Sequence, residues 1–485
     1  MINDMRDLIK ELDKRGLVEY IENADPINEI GVITDLVCER KGSPAVVFDK
    51  IKGYPKGYRI AVNLLQNQVV GEKLIFGIPE ELTDLESIKW FKDKMIAFQP
   101  VPPVEVKTGP VMENVLIGNQ VDIHKFPTPK WHEEDGGRYI GTGDVQIHKD
   151  PDNDWINAGT YRVMLQDDDN KVVSNYISNG KHGDLIRKKY WAKGESCPVV
   201  LCFGEDVLLF ALGGTTISAG VNEFEVMGYL RGRPVEVIKG PVTGLPIPAT
   251  AEIAIEGFVP PPPKDLRSEG PFGEWTGHYG SGARKEPVVN IKAIYHRNDP
   301  ILYGHPPQRP PSPNMYPISV HSASVLWERL ERAGIPGIRG VCGHGPGFRS
   351  VMVVSIKQSY FGHAKEVATL CAPLMHGNLA SKYIIVVDED IDPTNIEEVL
   401  WAMVSRCEPE TQIEVRPGYL TSPLDPSLPQ EKRERKDWTA ARVFIEAVRP
   451  FWRIESFAPV IRKASEEKRA KVLSKWSNLR ELFKS

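Results

Sequence analysis

The chain has 485 residues, 41% hydrophobic and 26% charged, with a net charge of −5. That length exceeds one hydrophobic core and predicts two or three domains. The mildly acidic balance points away from nucleic acid and leaves small molecules as the expected ligands, and with no apolar run of about 18 residues no membrane insertion is expected.

Residues 1–14 alternate acids and bases without the apolar centre of a signal peptide, so a cytoplasmic protein is expected. Helical spacing of Leu8, Ile9 and Leu12 predicts a helix over 5–15, and Ile30, Ile33, Leu36 and Val37 predict another over 27–39. Short strands are read at 18–21 and 45–48. This α/β unit, residues 1–107, ends near the proline pair Pro102-Pro103.

From 108 to 300 the pattern becomes strand-length apolar runs separated by Gly, Pro, Asn and Asp, as at 162–165, 199–203, 235–238 and 288–295. A β-dominated domain of barrel type is the economical reading. One helix interrupts it over 222–231, where Phe224, Met227 and Leu230 share a face and Gly232 is the stop. A Pro-rich loop, 304–317, leads into a third domain, 301–458, of alternating helices and strands: helix 320–333, strand 351–356, helix 363–374, strand 383–387. Residues 459–485 read as a charged helix with Val472, Trp476, Leu479 and Leu482 as its apolar stripe, docking on its own core or on a second subunit. The six cysteines (Cys38, Cys197, Cys202, Cys342, Cys371, Cys407) form no C-x-x-C pair and are expected to be reduced and structural.

The segment Glu269-Gly-Pro-Phe-Gly-Glu274 places two carboxylates where Pro271 and the glycines forbid a helix. In a confined site two such acids push their pKa values apart, leaving one as a proton donor near neutral pH. Asn157-Ala-Gly-Thr-Tyr-Arg162 opens a strand and offers an arginine able to hold a carboxylate by two parallel bonds. Lys181 and His182 lie on a turn-rich stretch, and Asn222-Glu223 opens the predicted helix after a glycine-rich turn, a place suited to a phosphate. One Asn, one His and one Glu make a metal set suited to Mn2+ or Mg2+ rather than structural zinc. Taken singly, each segment also has a plainer reading: solvated acids, a structural ion pair, unconnected polar residues on turns.

Together and in order, these segments resemble the UbiD family of decarboxylases over nearly the whole chain. The likeness is carried by Phe48-Asp-Lys-Ile-Lys-Gly-Tyr54, Asn157 to Arg162, Asn222-Glu223 followed by Gly228-Tyr-Leu-Arg-Gly-Arg-Pro-Val-Glu-Val237, Ala251-Glu-Ile-Ala-Ile-Glu-Gly257, Glu269 to Glu274, and Ile384-Ile-Val-Val-Asp-Glu-Asp-Ile-Asp392. The resemblance implies an α+β multidomain fold: an N-terminal α/β unit, a central split β-barrel that binds flavin as flavin reductases do, and a C-terminal α/β oligomerisation domain with a terminal helix. It implies prenylated FMN as cofactor, supplied by a flavin prenyltransferase, with Mn2+ or Mg2+ and a possible K+ ion, in a homo-oligomer, dimer or hexamer. By the same resemblance Asn157, His182 and Glu223 bind the divalent metal, with Glu223 preferred over Glu225, and Lys382 meets the flavin phosphate. Thr160, Tyr161, Arg162, Asn175, Tyr176, Ile177, Lys181, His182 and Glu223 line the cofactor. Arg162, Glu269 and Glu274 form its catalytic network.

The reaction implied is reversible, non-oxidative decarboxylation of an aromatic, heteroaromatic or α,β-unsaturated acid through a covalent adduct with the prenylated flavin, with Glu274 as the proton donor. His278, His305 and Arg309 are candidates for reading a second polar group on the substrate, and the acid itself stays unnamed. Two rivals stay open: a plain flavin oxidoreductase, and a non-catalytic subunit of a carboxylase complex.

Overall fold

The structure is a computed structural model describing residues 2–40, 42–65, 71–215, 217–280, 282–310, 317–345, 350–375, 382–461 and 464–476. Residues 311–316 of the Pro-rich loop, and Leu479 and Leu482 of the terminal stripe, lie outside the described residues. Residues 1–448 form one compact unit and 449–485 a second.

At the N-terminus the helix Met5–Asp13 buries Met5, Leu8, Ile9 and Leu12, and Asp4 caps it by accepting the Asp7 N–H. It accompanies a four-stranded sheet in the order Val18–Glu22, Ala45–Asp49, Arg59–Val62, Ile301–Gly304. The last strand arrives from far along the chain and pairs parallel to Arg59–Val62. The chain thus returns to its first sheet after completing the β-rich region, and this return delivers His305 to the cavity described below.

The β-rich middle is a ten-stranded sheet. Its main path runs Tyr139–Gly141, Val163–Gln166, Asp169–Asn175, Arg284–His296, Ile253–Val259, Cys197–Phe203, Asp144–Lys149, Ile156–Gly159. Alternate residues of Cys197–Phe203 serve two cores: Val200 and Cys202 pack with the helix Val207–Gly213, while Val199, Leu201 and Phe203 pack with Phe126, Trp131 and Ile255. Burial on both faces explains why this strand reads as a continuous apolar run. The long strand Arg284–His296 also pairs with Leu266–Glu269, setting Glu269 opposite Arg284. The Glu269 end of this ribbon leads straight into the loop that carries Glu274.

Among the described residues three α-helices belong to this region. Glu223–Arg231 was legible from its spacing and ends as expected at Gly232, which takes φ +69°. His182–Ala192 and Val207–Gly213 are additional to the sequence reading. Residues 317–447 contribute a five-stranded mixed sheet in the order Ile338–His344, Val351–Ile356, Tyr383–Asp388, Thr439–Ala447, Ile413–Leu420, with the helices Pro317–Arg332, His363–Leu374 and Ile396–Arg406. The second unit holds the helix Glu466–Lys475, on which Val472 is 52% exposed, as is Trp476 just beyond it, so these two residues of the stripe are not buried. No helix among the described residues is long and apolar enough to cross a membrane.

Candidate active site

A cavity of about 500 Å3 opens beside the central sheet, between the strand Ile156–Gly159, the first turn of His182–Ala192, the last turn of Val207–Gly213, the start of Glu223–Arg231 and the loop that follows Glu269. Gly213 forms one corner, where a Cβ would stand 2.9 Å from the Ala158 carbonyl; only glycine lets the helix end approach the strand so closely.

On one part of the wall, Arg162 joins the two glutamates. It donates through Nε and Nη2 to the two oxygens of Glu269, each at 2.8 Å, and through Nη1 to Glu274 Oε1 at 2.6 Å. Tyr139 donates its hydroxyl to Glu269 Oε1 at 3.0 Å. The guanidinium carbon lies 4.3 Å from the Tyr176 ring centre and 5.4 Å from that of Phe272, so aromatic faces shield the charge from water. Glu269 is buried behind the wall, whereas Glu274 is on it. Gly270 takes φ +81°, turning the chain between the two acids, and the Glu274 N–H donates to the His278 carbonyl at 2.9 Å. Burial raises the Glu274 pKa above the ordinary carboxylate range, Arg162 opposes the rise, and Glu269 adds to it. The result is one acid gripped by a bidentate arginine beside a second, Glu274, whose proton is retained to higher pH.

Elsewhere on the wall, Asn157 donates through Nδ2 to Glu223 Oε1 at 3.1 Å, and the Ala158 N–H donates to Glu223 Oε2 at 2.8 Å. Glu223 is the first residue of its helix, and Asn222 caps that helix by accepting the Phe224 N–H at 2.9 Å. Burial pushes the Glu223 carboxyl up to about 7, with the Ala158 and Asn157 bonds pulling the other way. Asn157 Oδ1 is buried without a hydrogen-bond partner among the described residues. His182 opens its helix, its ring edge-on to Trp155 at 4.9 Å, and burial followed by Lys181 lowers its pKa, keeping the imidazole neutral. An orphaned amide oxygen, a carboxylate and a neutral imidazole on one wall fit a divalent cation that takes oxygen and nitrogen donors. Among the described residues no group of three His, Cys, Asp or Glu side chains is placed to hold a metal ion.

Three family models match successive parts of the chain: the 3-octaprenyl-4-hydroxybenzoate carboxy-lyase N-terminal domain over residues 9–81, its Rift-related domain over 103–310 and its C-terminal domain over 316–447. The chain belongs to the UbiD family of carboxy-lyases. It is 30% identical to a phenolic acid decarboxylase of Sedimentibacter hydroxybenzoicus, over 87% of this chain and 88% of that protein. It is 29% identical to a pyrrole-2-carboxylic acid decarboxylase of Pseudomonas aeruginosa, over 95% and 93% of the two chains. Among solved structures it resembles the UbiD-class enzyme HmfF from Pelotomaculum thermopropionicum in complex with FMN, with 25% identity, a TM-score of 0.82, and coverage of 96% of this chain and 98% of that one.

Within this UbiD-family cavity, Asn157, Thr160, Tyr161, Arg162, Tyr176, Lys181, His182, Glu223 and Glu274 all reach the wall. Asn175 and Ile177 lie one layer back. Asn175 donates to Gln146 Oε1 at 2.6 Å, and Gln146 donates to the Tyr161 carbonyl at 2.7 Å, so Asn175 supports the wall rather than forming it. Lys382 is not on the wall. It donates to both oxygens of Asp425 at 3.2 Å and to Ser427 Oγ at 2.6 Å, although Leu424, beside that aspartate, does line the cavity. Of the three substrate-reading candidates, His305 is buried on the wall, while His278 and Arg309 are exposed and off it.

Sequence reasoning missed Tyr139, Phe272 and Asp144. Asp144 is fully buried on the wall, Oδ2 has no partner among the described residues, and burial lifts its carboxyl far above the usual range. A signal was present: Asp144-Val-Gln-Ile-His148 alternates polar and apolar residues at strand period. Tyr139 and Phe272 carry no such pattern, because their contact, with ring centres 3.9 Å apart, joins separate elements.

Proposed function

We propose that this enzyme removes CO2 reversibly from an aromatic or heteroaromatic acid, with a prenylated FMN and a divalent cation, Mn2+ or Mg2+, in the cavity. The observation that carries the reading is the Arg162 bridge between Glu269 and Glu274 on a wall that also holds Asn157, His182 and Glu223. Asn157, His182 and Glu223 hold the cation, and their neighbours on the wall hold the flavin. When bound, the prenylated flavin supplies a ring system that accepts the electron pair of the departing carboxylate. Arg162 holds Glu269 by two parallel bonds and orients Glu274. Glu274 delivers the proton that replaces CO2 on the substrate carbon, and its raised pKa supports that role by retaining the proton nearer neutrality. The phenolic and pyrrole acid decarboxylases among its relatives support a ring-bearing acid as substrate.

The test is co-expression with a flavin prenyltransferase, mass spectrometry of the bound flavin, and CO2 release from a panel of ring acids by wild type and Glu274→Gln. Turnover by the wild type with loss in the variant is expected. Full activity in the variant would exclude the role given to Glu274.

A further inference from the structure

The loop that carries Glu274 is poorly suited to hold a shape unaided. Residues 270–280 include Gly270, Gly273, Gly277 and Gly280, and a glycine-rich segment has the most conformational freedom to lose on ordering. Within the loop Gly273 bridges to Tyr279, the Glu274 N–H donates to the His278 carbonyl at 2.9 Å, and the Gly277 N–H donates to the Glu274 carbonyl at 2.8 Å. Two bonds from residues 131–136 fasten this small hairpin at its two ends. The Gly136 N–H donates to the Pro271 carbonyl at 2.8 Å, and Asp135 Oδ1 accepts the Tyr279 hydroxyl at 3.1 Å. A Cβ on Gly136 would collide with the Gly270 carbonyl, so the two segments are in direct contact.

Asp135 closes its own segment. Oδ2 accepts the His132 N–H at 3.0 Å, and the Asp135 N–H donates to the His132 carbonyl at 3.1 Å. The His132 ring then reaches across to the N-terminal α/β unit: Nδ1 lies 3.6 Å from Asp135 Oδ2, and Nε2 lies 3.5 Å from Oδ1 of Asp35 on the helix Ile30–Cys38. That helix packs on the same segment, with Gly31 against the Trp131 carbonyl. A carboxylate at each ring nitrogen favours the doubly protonated imidazole, because a neutral ring has an N–H for only one of them. Burial lowers the His132 pKa, but Asp135 and Asp35 outweigh it and raise it to about 9.

We infer that His132 is a positioning residue for the proton donor: by holding Asp35 and Asp135 together it fixes the segment on which the Glu274 loop is set, so that a helix of the N-terminal unit takes part in aiming the Glu274 carboxyl. The role rests on the decarboxylase reading, since it acts through the step assigned to Glu274. His132, Asp135 and Tyr279 lie off the cavity wall, so their effect has to pass through the loop. A displacement of about 1 Å in a reacting group can cost on the order of 10^2-fold in rate, which makes such a tie consequential.

The test compares wild type, His132→Gln and Tyr279→Phe, loaded with FMN for hydrogen–deuterium exchange and with prenylated FMN for CO2 release from the ring acids that wild type accepts. Exchange at the Glu274 and Gly277 amides should rise about fivefold in each variant, as for the loss of one hydrogen bond, with exchange in the central strand Cys197–Phe203 unchanged. The kcat should fall about 10- to 100-fold in His132→Gln and by less in Tyr279→Phe, with KM and flavin content within about twofold of wild type. The solvent deuterium isotope effect on kcat should grow as proton delivery becomes limiting. The double variant should lose no more than His132→Gln alone, because both act through one link. Tyr279→Phe removes a single oxygen from a partly exposed ring and decides the matter if His132→Gln fails to fold. Unchanged loop exchange in Tyr279→Phe, exchange that rises throughout the sheet, a loss carried by KM or flavin content, or a fall in kcat without a larger isotope effect would overturn the inference. Loop exchange that rises as expected while wild type releases CO2 from no acid would instead defeat the decarboxylase reading and leave the clamp on the loop standing.

Discussion

Two polar clusters share one cavity wall, and they differ in whether the protein completes them. Around Arg162, Nε, Nη1 and Nη2 each donate to a carboxylate, and aromatic rings flank the guanidinium. Around Glu223, an acid of similar burial receives only an amide and a backbone N–H, and Asn157 Oδ1 receives nothing among the described residues. The first cluster brings its own counter-cation on the chain and is organised before any ligand arrives. The second is short of positive charge, and that deficit is what supports the proposal of a cation there. Burial has the same physical effect in both places; the covalent or non-covalent origin of the compensating charge separates a preorganised network from a binding site.

The comparison breaks most visibly through activity. Glu274→Gln keeps the shape of the first cluster but removes the transferable proton, and CO2 release should fall about 10^2- to 10^4-fold with flavin content unchanged by absorbance. Next in size is Arg162→Met, which strands two buried acids. Urea denaturation of the cofactor-free protein should show a loss of about 3–5 kcal/mol. The second cluster should respond in the opposite manner. In Glu223→Gln the Asn157 amide can turn so that its orphaned oxygen accepts the new amide N–H, and stability of the metal-free protein should stay within about 1 kcal/mol of wild type. Mn2+ affinity by calorimetry should nevertheless drop by at least the roughly 10- to 100-fold typical of losing even a supporting partner at a metal site. A large stability loss in the metal-free Glu223→Gln protein would erase the distinction.

A smaller effect extends the self-compensated pattern to the loop beyond Glu274. His132 lies between Asp35 and Asp135, with Nε2 3.5 Å from the first and Nδ1 3.6 Å from the second, and Tyr279 donates to Asp135 Oδ1 at 3.1 Å. Burial alone would lower the His132 pKa, but Asp135 and Asp35 outweigh it and raise it to about 9. Because the folded value exceeds the unfolded value of about 6.5, the stabilisation is fully present below pH 6.5 and is lost as pH rises through about 9. The stability difference between wild type and His132→Gln should therefore shrink over that window, as followed by urea midpoints at successive pH values.

Legibility in the sequence followed the range of the physics. The helix 222–231 was readable because its spacing, its Asn222 cap and its Gly232 stop are local. The helix Val207–Gly213 was missed because Val207 to Leu212 are all buried, so no polar face marks a helical period. Glu269 and Glu274 stood out because proline and glycine isolate them from any helix, whereas Asn157, His182 and Glu223 have no telling spacing and were reached through family resemblance. Lys382 shows the limit of reading by position: the strand after it is where expected, yet its side chain turns to Asp425 and Ser427.

From its order of residues alone, the chain dictated the helices that carry a polar face and local stops, which segments stay extended, and which side chains have the chemistry for proton transfer and cation binding. Only the folded arrangement decided that Arg162 meets Glu269 and Glu274, that Asn157 keeps an oxygen unpaired among the described residues, and that His305 is buried beside Tyr303. Propensity and breaking act over a few neighbouring residues, but protonation and tautomer depend on burial and on partners brought in from across the chain, and no local pattern encodes those.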